Sequence, residues 1–166
     1  MDIYTILDYL AQYGLLFLFV IVFLEYLNLP GLPAGIIMPA MGIIISRTNS
    51  GFITAVFVSL IAGILGSIVL YCIGYYGGFP LLEKFYNKYP KVQNYIDKIK
   101  GWNDKYGDKT NFFGRLIPVA RTIISLTSGT FRCKPMKFIL YSIPGIAIWN
   151  SVFILVGYAF GDLFLK

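Results

Sequence analysis

Two long uncharged runs constrain the fold of this chain most. Phe52–Tyr76 contains 25 residues without a charged side chain, and Phe138–Gly161 contains 24. A helix rises about 1.5 Å per residue, so each run is long enough to cross roughly 30 Å of hydrocarbon. Only 13% of the residues are charged and the mean hydropathy is +0.71, values typical of an integral membrane protein. The sequence therefore predicts an all-α integral membrane protein with a single domain over residues 1–166.

The composition also excludes several classes of function. The chain has no histidine, which removes Ser–His triads, His-ligated zinc and the most common general base. Cys72 and Cys133 lie in or beside apolar runs without metal-ligand spacing, so we expect two free thiols. The net charge of +6 lies between apolar segments, which indicates topology and lipid headgroups rather than nucleic acid. We expect no metal, no cofactor and no nucleic-acid partner.

Two shorter segments interrupted by proline precede the long runs. Pro30–Ser46 is uncharged but too short to span comfortably, and its prolines are predicted to break any long helix. Phe113–Thr130 is the second short segment, with Pro118 near its centre. A re-entrant hairpin, which enters the bilayer and returns to the same side, fits both; a kinked extension of a neighbouring helix is the alternative for the first. The prolines of the first segment are Pro30, Pro33 and Pro39.

These two segments occupy corresponding places in the two halves of the chain, each before a full-length run. Counting crossings, they enter the membrane from opposite faces. Discontinuous segments at matching places are typical of transporters built from inverted repeats, with the binding site near the midplane. The sequence therefore predicts two opposed re-entrant hairpins in an inverted repeat.

The remaining segments have simpler interpretations. Ile3–Leu29 is predicted as a first membrane helix. The lysine-rich connector Leu81–Thr110 is predicted to contain an amphipathic helix lying on the membrane surface, on the cytoplasmic side, with a lipid-headgroup or partner platform as the alternative. Its apolar face comprises Val92, Tyr95, Ile96 and Ile99.

Small residues in the first long run indicate close helix packing. Ser59, Gly63 and Ser67 recur every four residues, and such a ridge lets two helix backbones approach in lipid. A cluster of glycines with Pro80 is predicted to end this span. In the second long run, Pro144 and the glycine after it are predicted to kink or redirect the helix.

Two arginines in the second short segment are the strongest candidates for a functional site. A charged side chain at the bilayer centre costs from about 2.5 kcal/mol to several times that, so it needs a partner, a wet cavity or an anionic ligand. Arg115 and Arg121 are six residues apart, and a turn at Pro118 would let them converge on a phosphate, which guanidinium groups bind well. Further donors there are Thr122, Ser125, Thr127 and Ser128.

The alternative is that both arginines hold the fold together by pairing with Glu25 and hairpin carbonyls, and the two roles are compatible. Glu25 is predicted to be an intramembrane acid that pairs with an arginine; the alternative is an interfacial carboxylate at a helix end.

At these residues the chain resembles a known family. The order F-x-G-R-x-x-P-x-x-R-T-x-x-S-x-x-x-G, which ends at Gly129, is similar to that of the DedA family, bacterial relatives of the eukaryotic VTT-domain membrane proteins. Glu25-x4-Pro30-x-x-Pro33 resembles the first hairpin motif. The resemblance implies two opposed re-entrant hairpins and movement of lipids, with undecaprenyl phosphate or phosphatidylethanolamine as cargo.

The positions that match the family's functional residues are Glu25, Arg115 and Arg121. The candidate substrate-binding set also includes Pro118, Thr122, Ser125 and Gly129. Many family members carry a second acid just after the second proline of the first hairpin, where this chain has Ala34 and Gly35. The carboxylate pair that would couple transport to protons is therefore incomplete.

We expect a flippase- or scramblase-like lipid transporter, not an enzyme, that crosses the bacterial cytoplasmic membrane several times and can form a homo-oligomer. An ion–proton antiporter, an enzyme acting on lipid phosphate and a purely structural membrane protein are the alternatives.

Overall fold

A computed structural model describes residues 3–27, 34–46, 51–88, 90–118 and 120–164. The described part is helical, without a strand. Its helices are α1 Ile3–Tyr26, α2 Ala34–Ser46, α3 Phe52–Lys88, α4 Pro90–Tyr106, α5 Thr110–Arg115, α6 Ala120–Thr130 and α7 Pro135–Phe164, and a 3-10 turn, Gly107–Lys109, joins α4 to α5. Among these, α3 and α7 are long and apolar enough to cross a membrane by length and composition, and α1 holds a shorter apolar stretch, Tyr13–Tyr26. The predicted helical class is confirmed.

The helix α3 is interrupted where the glycine cluster predicts an end to the span. Gly78 has φ 57° and ψ −158°, which lies outside the helical region. Such a conformation is open to glycine and costly for other residues. Helical structure then resumes after Gly78, includes Pro80 and continues to Lys88. The prediction of a break is confirmed, and the helical segment beyond it was not predicted.

The prediction that Pro39 breaks the first short segment is wrong, because Pro39 lies inside the continuous helix α2. Proline is tolerated in apolar helices where neighbouring groups take over the freed carbonyl. Pro30 and Pro33 lie outside the described residues. Pro144 likewise lies within α7, which is continuous there.

The chain divides into two compact units. The first unit contains Met1–Gly63 and Ala147–Lys166, and the second contains Ile64–Ile146. The helices α3 and α7 therefore each contribute one part to each unit.

In the first unit, α2 packs against the C-terminal part of α7 through two glycines. A Cβ on Gly42 would collide with the Ile154 carbonyl oxygen and lie 2.8 Å from the Tyr158 nitrogen. A Cβ on Gly157 would collide with the Pro39 carbonyl oxygen. Because backbone lies on both sides, only glycine permits this helix crossing.

The second unit contains a crossing of the same kind, between α6 and α3. A Cβ on Gly129 would collide with the Tyr71 carbonyl oxygen and lie 2.8 Å from the Tyr75 nitrogen, and a Cβ on Gly74 would collide with the Leu126 carbonyl oxygen. In both units each glycine faces the carbonyl three residues before its partner glycine. The two short helices, α2 and α6, are thus packed by the same local geometry.

The apolar face of α4 contacts protein. Ile96 and Ile99 are 5% and 1% exposed and belong to one core cluster with residues of α6, including Ala120 and Ile124. The amphipathic pattern predicts a helix here, and the helix is confirmed. Ile96 and Ile99 of its apolar face are buried against α6, so protein rather than lipid covers them. The placement of α4 on the membrane surface stays a prediction.

Candidate functional site

The second short segment is a pair of helices joined by a tight turn at Pro118. The helix α5 ends at Arg115, and α6 begins at Ala120. The Leu116 N–H donates to the Phe113 carbonyl at 3.1 Å, and the Arg121 N–H donates to the Ile117 carbonyl at 2.9 Å. Pro118 itself is exposed. Proline lacks an N–H and disfavours helix in the residue before it, which explains why the chain turns here.

Arg115 is the largest fully buried side chain in the described part of the chain, at 1% exposure. Its Nη1 donates to the Ser67 hydroxyl and its Nη2 to the Ser125 hydroxyl, each at 3.1 Å. Its guanidinium carbon lies 5.4 Å from the centre of the Phe138 ring. Three elements therefore hold one guanidinium group: α3, α6 and α7.

Gly145 makes room for this side chain. A Cβ at Gly145 would lie 3.0 Å from Arg115 Cβ and 3.2 Å from its Cδ, closer than ordinary contact. The glycine after Pro144 was predicted to redirect α7, and in the structure it lets α7 approach the arginine stem.

The chemistry of this arrangement follows from its charge. Arginine stays protonated at physiological pH, and a buried ion is stabilised by hydrogen bonds and nearby polar groups. The two serine hydroxyls and the face of the Phe138 ring provide such contacts. They fix the Arg115 guanidinium in position inside the second unit.

Arg121 lies in the same unit, one residue into α6, and is 8% exposed. The structure therefore places both predicted arginines inside the second unit, on either side of the Pro118 turn. Glu25 lies in the first unit near the end of α1 and is 6% exposed. The pairing of Glu25 with an arginine stays a prediction.

The polar residues of α6 have different surroundings. Ser125 accepts from Arg115, so these two predicted site residues are brought together directly. The Thr127 hydroxyl donates to the Ile123 and Ile124 carbonyls within its own helix, and Ser128 donates to the Asn111 side chain at 2.6 Å. Gly129 forms the crossing with α3. Thr122 lies in α6, and its side chain is outside the described residues.

Sequence reasoning missed several residues that structure these units. Ser67 was interpreted as a packing residue, although its hydroxyl also binds Arg115. Asn150 is fully buried in the first unit, where it accepts from the Tyr26 hydroxyl at 3.0 Å and donates to the Ser59 carbonyl at 3.1 Å. A single asparagine within a long apolar run is the signal that would have identified it.

Residues 3–27, 34–46, 51–88, 90–118 and 120–164 hold no group of three or more His, Cys, Asp or Glu side chains that could bind a metal. Cys72 and Cys133 are free thiols, as predicted. Burial raises the pKa of the Cys133 thiol, and the nearby Asp108 carboxylate adds to the rise. This thiol, in the turn between α6 and α7, is therefore a weak nucleophile.

Comparison with known proteins gives consistent results. Residues 10–159 match the model of the VTT domain. The chain is 35% identical over 132 residues to undecaprenyl phosphate transporter A of Bacillus subtilis, covering 79% of this chain and 66% of the relative. It is 29% identical over 162 residues to a Lactococcus lactis protein named alkaline phosphatase-like protein, covering 95% and 75%.

The chain is also 31% identical over 165 residues to protein DedA of Escherichia coli, covering 94% of this chain and 74% of that protein. It spans about two thirds to three quarters of the length of these relatives. No solved structure matches it. With the family model covering most of the residues and the buried arginines in place, the chain belongs to the DedA/VTT-domain family.

Proposed function

We propose that this protein translocates a phosphate-headed lipid, undecaprenyl phosphate or phosphatidylethanolamine, across the bacterial cytoplasmic membrane, as one DedA/VTT domain over residues 1–166. The observation that carries the proposal is Arg115. Its guanidinium group is 1% exposed and donates to Ser67 and Ser125, so a group well suited to binding phosphate is fixed between helices of the second unit.

The proposed role of the arginines is to replace the hydration that a phosphate headgroup loses inside the membrane. A phosphate crossing hydrocarbon loses its water, and a fixed guanidinium replaces part of that hydration with charge-assisted hydrogen bonds. Because serine hydroxyls hold Arg115 in place, little further ordering is needed when the phosphate arrives. Arg121 supplies a second positive charge in the same unit, and Glu25 is the acid that we propose balances this charge when no lipid is bound.

The inverted repeat is part of the proposal. The matching crossings, Gly42 with Gly157 and Gly129 with Gly74, support a common origin for the two short helical segments. We propose that both are re-entrant, entering from opposite faces, so that α5 and α6 carry the arginines to membrane depth.

The names of the relatives point to two functions, transport and catalysis, that an experiment can tell apart. One of them is named as an undecaprenyl phosphate transporter and another as alkaline phosphatase-like. A phosphatase would release inorganic phosphate, whereas a transporter leaves the lipid intact. The two functions can therefore be separated in one preparation.

The test is a cargo panel in proteoliposomes. Purified protein is reconstituted with labelled undecaprenyl phosphate, phosphatidylethanolamine, phosphatidylglycerol or phosphatidylcholine, and exposure of each lipid on the opposite leaflet is followed beside protein-free vesicles. We expect faster exposure of undecaprenyl phosphate or phosphatidylethanolamine, without release of phosphate. Exposure at the protein-free rate for every lipid would refute the proposal, and release of phosphate would assign an enzyme instead. A pH change that depends on added ions would point to an antiporter.

A further inference from the structure

Arg132, just after α6, has an unusual backbone conformation. Its φ is 54°, and it is the one non-glycine residue of the described part with positive φ. Its N–H donates to the Gly129 carbonyl at 2.9 Å, and the Cys133 N–H donates to the Ser128 carbonyl at 3.0 Å. These two bonds form a Schellman cap, whose left-handed position is usually glycine because a Cβ is disfavoured there. An arginine at this position is therefore strained, which is a common property of functional residues.

Arg132 lines a cleft of about 530 Å³ in the second unit, together with the apolar residues Phe79, Pro80 and Phe131. Lys100, Asn103 and Asp104 of α4 form part of the same lining. The Arg132 guanidinium carbon lies 5.6 Å from the centre of the Tyr75 ring, which orients it. Two basic residues, one acidic residue and one amide residue therefore form part of the lining of a space of the size that small ligands occupy.

The charges in the cleft favour an anion. Two positive groups outweigh the carboxylate of Asp104 together with the partial negative charge, about half an elementary charge, at the C-terminus of α6. Two carbonyls at that helix end, those of Ser128 and Gly129, already accept backbone hydrogen bonds. Asn103 provides an uncharged donor on the same side as Lys100.

The position of the cleft indicates a lipid as the source of the anion. Gly78, where α3 departs from helical geometry, lines the cleft, and α7 begins at Pro135, shortly after Arg132. The apolar part of α3 thus ends there, and the polar connector begins. Tyr76 and Phe79 are exposed, at 85% and 65%, and exposed aromatic side chains of this kind are typical of the headgroup level of a membrane.

We propose that this cleft binds the phosphate of a lipid headgroup, with Arg132 and Lys100 as its positive groups. The inference rests on the proposed function and deepens it. The cleft is a second phosphate site of the transporter, built from α4 and the turn after α6 and separate in sequence from Arg115 and Arg121. It would hold the headgroup at the membrane surface before or after translocation.

Direct binding to the full-length protein in detergent tests the site without requiring transport. The probe is dihexanoyl phosphatidylethanolamine, titrated by calorimetry, with inorganic phosphate as the second arm. We expect Arg132→Gly and Lys100→Gln each to raise the Kd about two- to fivefold, the size expected for exposed charge pairs. Lys98→Gln, an exposed lysine of the same helix, is the matched control and should bind as wild type does.

Two further measurements separate a binding role from a structural one. Arg132→Gly relieves the strained backbone, so its Tm should equal or exceed that of the wild type while its affinity falls. Asp104→Asn removes a carboxylate that repels phosphate and should bind inorganic phosphate, which carries no ammonium group, more tightly. An Arg132→Gly protein that binds with wild-type affinity would overturn the proposal, as would inorganic phosphate that competes as strongly as the lipid.

These outcomes are independent of the transport assay. If the cleft binds the probe but no lipid is translocated in proteoliposomes, the proposed function fails and the site stands. If lipid is translocated while the cleft variants bind and transport as wild type does, the site fails and the proposed function stands.

Discussion

The glycine crossing between α6 and α3 gives the most direct test of how the second unit is held together. In Gly129→Ala the new methyl would be placed on the Tyr71 carbonyl oxygen and 2.8 Å from the Tyr75 nitrogen. Both obstacles are backbone, so the helices must separate rather than a side chain rotate. Separation would also weaken the contact of the Thr130 hydroxyl with the Gly74 carbonyl, now 3.4 Å.

The size of the effect can be bounded from opposing terms. Overpacking costs about 1–3 kcal/mol, and the upper end applies because backbone meets backbone. Alanine regains about 1 kcal/mol of helix propensity. We therefore expect the free energy of unfolding to fall by about 2 kcal/mol, which corresponds to roughly 4–8 °C in Tm for a chain of this size.

Gly101 is the matched control. It lies in α4, and a Cβ there would meet nothing within 4 Å. Gly101→Ala should gain the propensity term without the clash, so its Tm should rise by about 2–4 °C. Thermal unfolding of both variants, followed by tryptophan fluorescence in the same detergent, gives the comparison. A Gly129→Ala protein as stable as Gly101→Ala would refute the close crossing.

Three other predictions address the buried polar contacts. Asn150→Leu should lower the free energy of unfolding by about 2 kcal/mol, because the Tyr26 hydroxyl and the Ser59 carbonyl lose their partner. The control Val152→Ala, at a half-exposed residue, should change it by less than about 0.5 kcal/mol, and equal values for the two variants would contradict the hydrogen bonds of Asn150. Ser67→Ala and Ser125→Ala should each lower the free energy of unfolding by about 1.5–3 kcal/mol, because both serines accept a hydrogen bond from Arg115. Their effects should be non-additive in a double-mutant cycle, and simple additivity would count against a shared partner. In a Cys72→Ser protein the rate of Cys133 alkylation should continue to rise above about pH 8.5, because a raised pKa keeps the thiol protonated. Asp108→Asn should move this pH profile to lower pH, and an alkylation rate that levels off below about pH 8 in the Cys72→Ser protein would refute the raised pKa.

Local chemistry explains which parts of the fold the sequence could predict. The turn at Pro118 depends on a residue that cannot continue a helix, and the break at Gly78 depends on one that readily accepts positive φ, so both can be predicted from the sequence. The buried ridge that includes Ser59 and Ser67 follows from helical spacing. These features require no knowledge of a distant partner.

The features that the sequence could not predict depend on distant partners. An apolar helix face can be covered by lipid or by protein, so the burial of Ile96 and Ile99 against α6 was not readable from spacing. Pro39 lies inside a helix, and whether neighbouring groups satisfy the carbonyl that a proline leaves free depends on packing, not on the local sequence. The sequence identifies Arg115 as a candidate buried cation, but its hydrogen-bond partner Ser67 lies 48 residues away. The four-residue spacing that Ser67 shares with Gly63 and Ser59 indicates only helix packing.

The rate of lipid translocation by Arg121→Gln in proteoliposomes tests the central claim most directly. Glutamine has similar length but no charge, and Lys134→Gln, which removes an exposed cation from the following turn, is the control for net charge. Each variant is reconstituted at equal folded amount, verified by size-exclusion elution and Tm. If a buried guanidinium carries the phosphate through the membrane, Arg121→Gln should lose at least tenfold in rate, about 1.4 kcal/mol in activation free energy, while Lys134→Gln transports as the wild type does. Equal rates for all three proteins would contradict the claim.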